Sequence, residues 1–209
     1  MKFNKILDLK AFARIGFFVK NNRLIIFLTV SFILGLLFGS YSDFGGSLRD
    51  FAEKYFSSFV SIRQSESFLR IFFHSFMTSA LWLLVSFFLG TGVMGFLILP
   101  VSSAVFGFFY GAVISYLYSE YALLGVAFHA VILLPSALLT VLAFLLSSAQ
   151  SVRFSRSLSG LVFYSRSVDL SVLFKEFCKS FLYYLLVIFI SAILDGLFSI
   201  KFLGSFGIL

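Results

Sequence analysis

The chain has 209 residues, of which 60% are hydrophobic, 20% aromatic and only 12% charged, with a net charge of +7. That composition and a mean hydropathy of +1.06 exclude an ordinary soluble domain, in which about a quarter of residues are charged. The single cysteine, Cys178, excludes an internal disulfide, and two histidines without a cysteine cluster leave no zinc-site spacing, so neither metal nor cofactor is expected.

The basic residues are grouped by position. Lys2, Lys5, Lys10, Arg14, Lys20 and Arg23 precede the first apolar segment, and Arg153, Arg156, Arg166, Lys175 and Lys179 form a second group. Such grouping is the positive-inside pattern of cytoplasmic flanks and argues against a nucleic-acid surface. Residues 1–23 set Ile6, Leu9, Phe12, Ala13 and Phe17 among basic side chains and predict a cytoplasmic interfacial helix. Leu24 to Tyr41 predicts the first crossing, a retained signal anchor with no small-residue cleavage site after it.

Residues 42–70 balance four basic against four acidic side chains and predict an extracytoplasmic loop. Within it Leu48, Phe51, Ala52, Tyr55, Phe56 and Phe59 recur at helical spacing, with Ser47 and Asp50 as a capping box. An amphipathic helix lying on the outer leaflet is the expectation, with a partner-docking helix as the alternative; either exposes the same stripe.

From Ile71 to Ala149 there is no Lys, Arg or Asp, and the only carboxylate is Glu120. A run of this length holds several crossings of about 20 residues each. It starts outside and ends inside, before Arg153 and Arg156, so the number is odd. Ile71 to Leu89, Gly92 to Tyr118 and Ala122 to Leu146 are the expected segments. A basic cytoplasmic loop over residues 150–176, with an amphipathic segment from Asp169 through Leu170, Leu173, Phe174, Phe177 and Phe181 that runs into a last crossing from about Phe177 to Phe198, completes the expectation: an all-α, polytopic helical bundle forming one integral membrane domain, with five crossings, amino terminus inside and carboxyl terminus outside.

Within the crossings, Gly90-Thr91-Gly92-Val93-Met94-Gly95 matches a dinucleotide fingerprint in spelling only, because no strand or βαβ unit surrounds it. Gly35 and Gly39, and Gly107 and Gly111, form two GxxxG motifs that predict close helix packing, within the bundle or between protomers. Pro100 and Pro135 close two similar segments, Leu97-Ile98-Leu99-Pro100 and Ile132-Leu133-Leu134-Pro135, and mark helix kinks. Paired broken helices would suit a small transporter.

The ionisable residues His74, Glu120, His129 and Asp195 all fall toward the outer side of this topology, where a buried charge marks a candidate site. A His129–Asp195 pair would bind a proton, a cation or a polar partner group, or pin two helices together. No HExxH, paired-aspartate or nucleophile-elbow motif is present, which leaves Ser102 or Ser103 with His129 as the one numerical option for hydrolysis. The residues point to a protein that is not an enzyme.

The segments also resemble the stage II sporulation protein M family. Phe32-Ile33-Leu34-Gly35-Leu36-Leu37-Phe38-Gly39 resembles its opening helix, and Phe88-Leu89-Gly90 through Gly95, with Gly107 and Gly111, its glycine-marked central helices. The stretch from Phe128-His129 to Leu134-Pro135-Ser136-Ala137 is similar to a family segment that reads His-Gly and then Glu-Leu-Pro-Ala. Val152-Arg153-Phe154-Ser155-Arg156 resembles the basic stretch after it, and Ile193-Leu194-Asp195-Gly196-Leu197-Phe198 the closing segment, which usually carries Glu. The family glutamate after the histidine falls on Leu133 here. The resemblance implies a multi-pass scaffold in the cytoplasmic membrane that holds a bitopic peptidoglycan hydrolase at the septum during sporulation. The partners it implies are the bilayer and other membrane proteins, with a homo-oligomer as an option.

Overall fold

The computed structural model describes residues 22–41, 47–64, 67–164 and 169–205. The interfacial segment expected before Arg23 and the side chain of Ser47 in the expected capping box lie outside the described residues. Every described element is helical: α1 (Arg23–Tyr41), α2 (Ser47–Gln64), α3 (Phe68–Thr91), α4 (Gly95–Phe128), a π-helical turn (His129–Leu133), α5 (Leu134–Tyr164) and α6 (Leu170–Phe202), with a short 3-10 turn after it.

By length and composition, four helical stretches can cross a membrane: Arg23–Tyr41, Phe68–Thr91, Gly95–Phe163 and Leu170–Phe202. The third is 69 residues long, about 100 Å if straight at 1.5 Å per residue and far more than one bilayer. It reverses at Ala122, where φ is 45° and ψ −124°. The two arms then run antiparallel, since Phe106 packs on Phe144 with ring centroids 4.8 Å apart and the Phe96 amide donates to Ser155 Oγ at 2.9 Å. Positive φ strains an alanine, so Ala122→Gly is expected to raise stability by about 1 kcal/mol, measured by denaturant titration in detergent.

Apolar lipid chains give helices no hydrophobic reason to associate, so the bundle is held by close packing and hydrogen bonds between helices. Helices α1 and α4 run parallel along a glycine seam. A Cβ on Gly35 or Gly39 would overlap the backbone carbonyl of Ala104 or Phe108, and one on Gly107 or Gly111 that of Phe32 or Leu36. All four glycines therefore face each other inside one chain, and this seam is not an open face for another protomer.

Helices α3 and α5 run parallel along a hydroxyl seam, with Ser79 against Thr140 at 3.2 Å, Ser86 against Ser147 at 2.8 Å and Gly90 against Ser151. Antiparallel to both, α6 joins through Thr140 to Ser191 at 3.0 Å and through the stacked rings of Phe154 and Phe177. The glycine-rich Gly90–Gly95 stretch is the α3–α4 turn. Ser155 donates to the Gly92 carbonyl at 2.7 Å while accepting from Phe96, which braces the turn against α5.

Two expectations change. Residues 150–164, expected within a basic loop, are helical, because Ser151, Val152, Phe154 and Ser155 are buried and carry α5 onward; the helix from Leu170 follows the amphipathic spacing that begins at Asp169. Helix α2 also does not leave its stripe open. Ala52, Phe56, Phe59 and Val60 are buried, and Phe56 and Phe59 pack with Leu117, Phe128 and Ile132. The aromatic stripe finds a groove of matching rings on the bundle, which covers more apolar surface than a headgroup region would.

Neither proline breaks its helix. Pro100 lies inside α4. Pro135 has no N–H for the Val131 carbonyl, and its ring crowds that carbonyl. The preceding turn is widened to π geometry, in which the Leu134 amide reaches the His129 carbonyl.

Candidate functional site

The α2 stripe ends in a charge. Arg63 lies on the same face as Ala52, Phe56 and Phe59 and is only 3% exposed. Its guanidinium donates to Asp195 Oδ2, to Ser199 Oγ at 3.0 Å, to Ser75 Oγ at 3.3 Å and to the Phe59 carbonyl at 3.2 Å. Its Cζ also sits 3.2 Å from the centroid of the Phe59 ring. Ser75 donates to the same Asp195 oxygen. A buried carboxylate is tolerated where a cation and hydroxyls compensate it, and the planar guanidinium supplies several donors at once.

This arrangement differs from the expected His129–Asp195 pair. His129 is buried in the π-helical turn, with Tyr110 Oη 3.0 Å from Nε2 and Tyr118 Oη 2.8 Å from Nδ1. Two tyrosines on one arm of the hairpin thus hold both ring nitrogens of a histidine on the other. Replacing His129 with Phe keeps the ring shape but leaves these hydroxyls without their partner, and is expected to cost about 1–3 kcal/mol in the same denaturant titration.

The other two residues fall apart from each other. His74 lines a cavity of about 130 Å³ together with Arg63, Ser75, Asp195 and Tyr110. Glu120, at the tip of the hairpin, pairs with Arg49 at 2.8 Å; both side chains are well exposed, and such a pair contributes about 0–1 kcal/mol. Of the four candidates, the fold brings only His74 and Asp195 to one cavity. His129 stands behind Tyr110.

The Ser103–His129 option gains nothing from this geometry. The Ser103 hydroxyl donates to Leu99 of its own helix at 3.1 Å, and both nitrogens of His129 are engaged by tyrosines. Among the described residues no group of three His, Cys, Asp or Glu side chains could hold a metal ion.

The family model for stage II sporulation protein M matches residues 24–200. The chain belongs to that family. The match begins at the start of α1 and ends near the end of α6, so the glycine seam, the hairpin, α2 and the Arg63–Asp195 pair all lie within the stage II sporulation protein M region. No curated protein and no solved structure matches the chain.

Arg63 is the site residue that sequence reasoning missed, because it was counted among the balanced charges of an outer loop. The signal was there: continuing the spacing of Ala52, Phe56 and Phe59 by one more turn lands on Arg63.

Proposed function

We propose that this chain is a non-catalytic, five-crossing scaffold of the cytoplasmic membrane, amino terminus inside, that organises partner membrane proteins. The observation that carries the reading is that the intramembrane polar groups at issue are spent on internal structure. Asp195 is held by Arg63 and Ser75, and His129 by two tyrosines, an arrangement that fixes helices rather than poising groups for reaction. The reversal at Ala122 divides the longest apolar stretch into two crossings, and the parallel run of α1 with α4 and of α3 with α5 fits alternating passage with the basic groups on one side.

Because both GxxxG motifs are used within the chain, partners meet the outward aliphatic faces instead, such as Leu34 and Leu37 on α1. By family, the partners are a bitopic peptidoglycan hydrolase and its membrane activator at a septum. Cross-linking in intact membranes from a photoreactive residue at Leu37, followed by identification of the adducts, tests this. Recovery of a single-span cell-wall enzyme is the expected result; adducts with lipid alone would sink the scaffold reading.

A transport reading rests on the cavity holding Asp195 and His74, not on breaks at Pro100 or Pro135. Proton flux into proteoliposomes that vanishes in an Asp195→Asn, His74→Ala double variant would favour it over scaffolding.

A further inference from the structure

Beneath α2 lie two adjoining cavities of opposite character. The first, about 130 Å³, is walled by Arg63, Asp195, His74 and the hydroxyls of Ser75, Thr78, Ser79, Thr140 and Ser191. The second, about 260 Å³, is walled by Phe51, Phe109, Val113, Ile114 and other apolar side chains. They share Tyr55, Phe59, Thr78, Trp82, Phe106, Tyr110 and Leu133, so the two are direct neighbours. Neither alone reaches the roughly 300 Å³ of a small-molecule site, but together they do. On the wall of the apolar arm, which α2 and α4 contribute to, Phe51 and Tyr55 are 41% and 40% exposed.

We infer that these adjoining cavities together bind a single-chain lipid with a neutral, hydroxyl-bearing head, its chain in the aromatic arm and its head among the hydroxyls of Ser79, Thr140 and Ser191. This goes beyond the scaffold reading and does not depend on it. Three features carry it. An apolar cavity of this size does not retain water, whereas an acyl chain from the surrounding bilayer fills it. The head end is short of donors: Ser191 already donates to the Ser136 carbonyl at 2.7 Å and Thr78 to the His74 carbonyl at 2.8 Å, while Ser79 and Thr140 share a hydrogen bond at 3.2 Å. A head that brings O–H groups of its own donates to these hydroxyl oxygens. Finally, the charges of Arg63 and Asp195 compensate one another, so the site has no net charge to hold an anionic or cationic head.

The test uses the full chain in phosphatidylethanolamine and phosphatidylglycerol vesicles with a trace of monolauroylglycerol carrying a diazirine at the chain end. Irradiation and peptide mapping are expected to place the label on Trp82, Phe109 and Val113, with excess unlabelled monolauroylglycerol competing. Ile114→Trp fills the apolar arm and should reduce this labelling about tenfold while leaving labels on outward residues unchanged. Ile114→Phe is the milder filler should the tryptophan variant fail to fold, and the wild-type label map decides independently of both. Label spread evenly over outward residues such as Leu34, Leu81 and Leu182 would mean bilayer lipid only and would overturn the site. Equal competition by lauric acid or dodecyltrimethylammonium would overturn the neutral head.

Discussion

Arg63→Ala is expected to destabilise the bundle by about 3–5 kcal/mol, the cost of leaving a buried carboxylate without its cation. Asp195 is 2% exposed and already has one oxygen without a partner, so loss of the guanidinium leaves only Ser75 on the other. Reversible unfolding in mixed micelles, followed by circular dichroism, reads the loss. The pair gives a sharper test than the single change. Replacing both residues by apolar ones of similar size, Arg63→Met with Asp195→Leu, should recover most of the stability, because no unpaired charge remains. If Arg63→Ala and Asp195→Ala instead added independently, the ion pair would not be what fastens α2 to α6.

The second large effect is expected at the glycine seam. Gly107→Leu forces a side chain into the backbone carbonyl of Phe32, and neither helix can yield locally because contact runs along its length through Gly35, Gly39 and Gly111. Ordinary overpacking costs about 1–3 kcal/mol, and collision with backbone exceeds that range. The expected outcome is loss of the monodisperse, folded species on size-exclusion chromatography, with α1 newly open to protease at its ends. Leu37→Val, at an outward residue that is 55% exposed, should leave the profile unchanged. A Gly107→Leu protein that stayed folded but lost a partner would return the seam to the role of an interface between chains.

Much of the architecture was legible because a membrane restricts the options. Apolar length, the grouping of Lys and Arg, and the glycine pairs each report a constraint that acts along the chain, and they point to the helices that the fold contains. The site was less legible. Depth and spacing marked His129 and Asp195 as buried groups, yet which partner each takes depends on the angle at which α2 enters and on the register of the Ala122 reversal. Tyr118 and His129 are only eleven residues apart, but they meet only because the chain turns back between them. Arg63 and Asp195 are separated by 132 positions, and no periodicity relates them.

The sequence by itself determined that this protein lives in a bilayer, that its elements are helices, and to which family it belongs, because those follow from composition and order along the chain. Only the tertiary structure decided that the amphipathic helix packs one face into the bundle, that its last turn carries a cation into the core, and that the glycine seams close upon each other. Those outcomes are set by which surfaces meet. In a medium as apolar as the side chains themselves, shape and hydrogen bonding select the meeting, and both exist only once the helices are side by side.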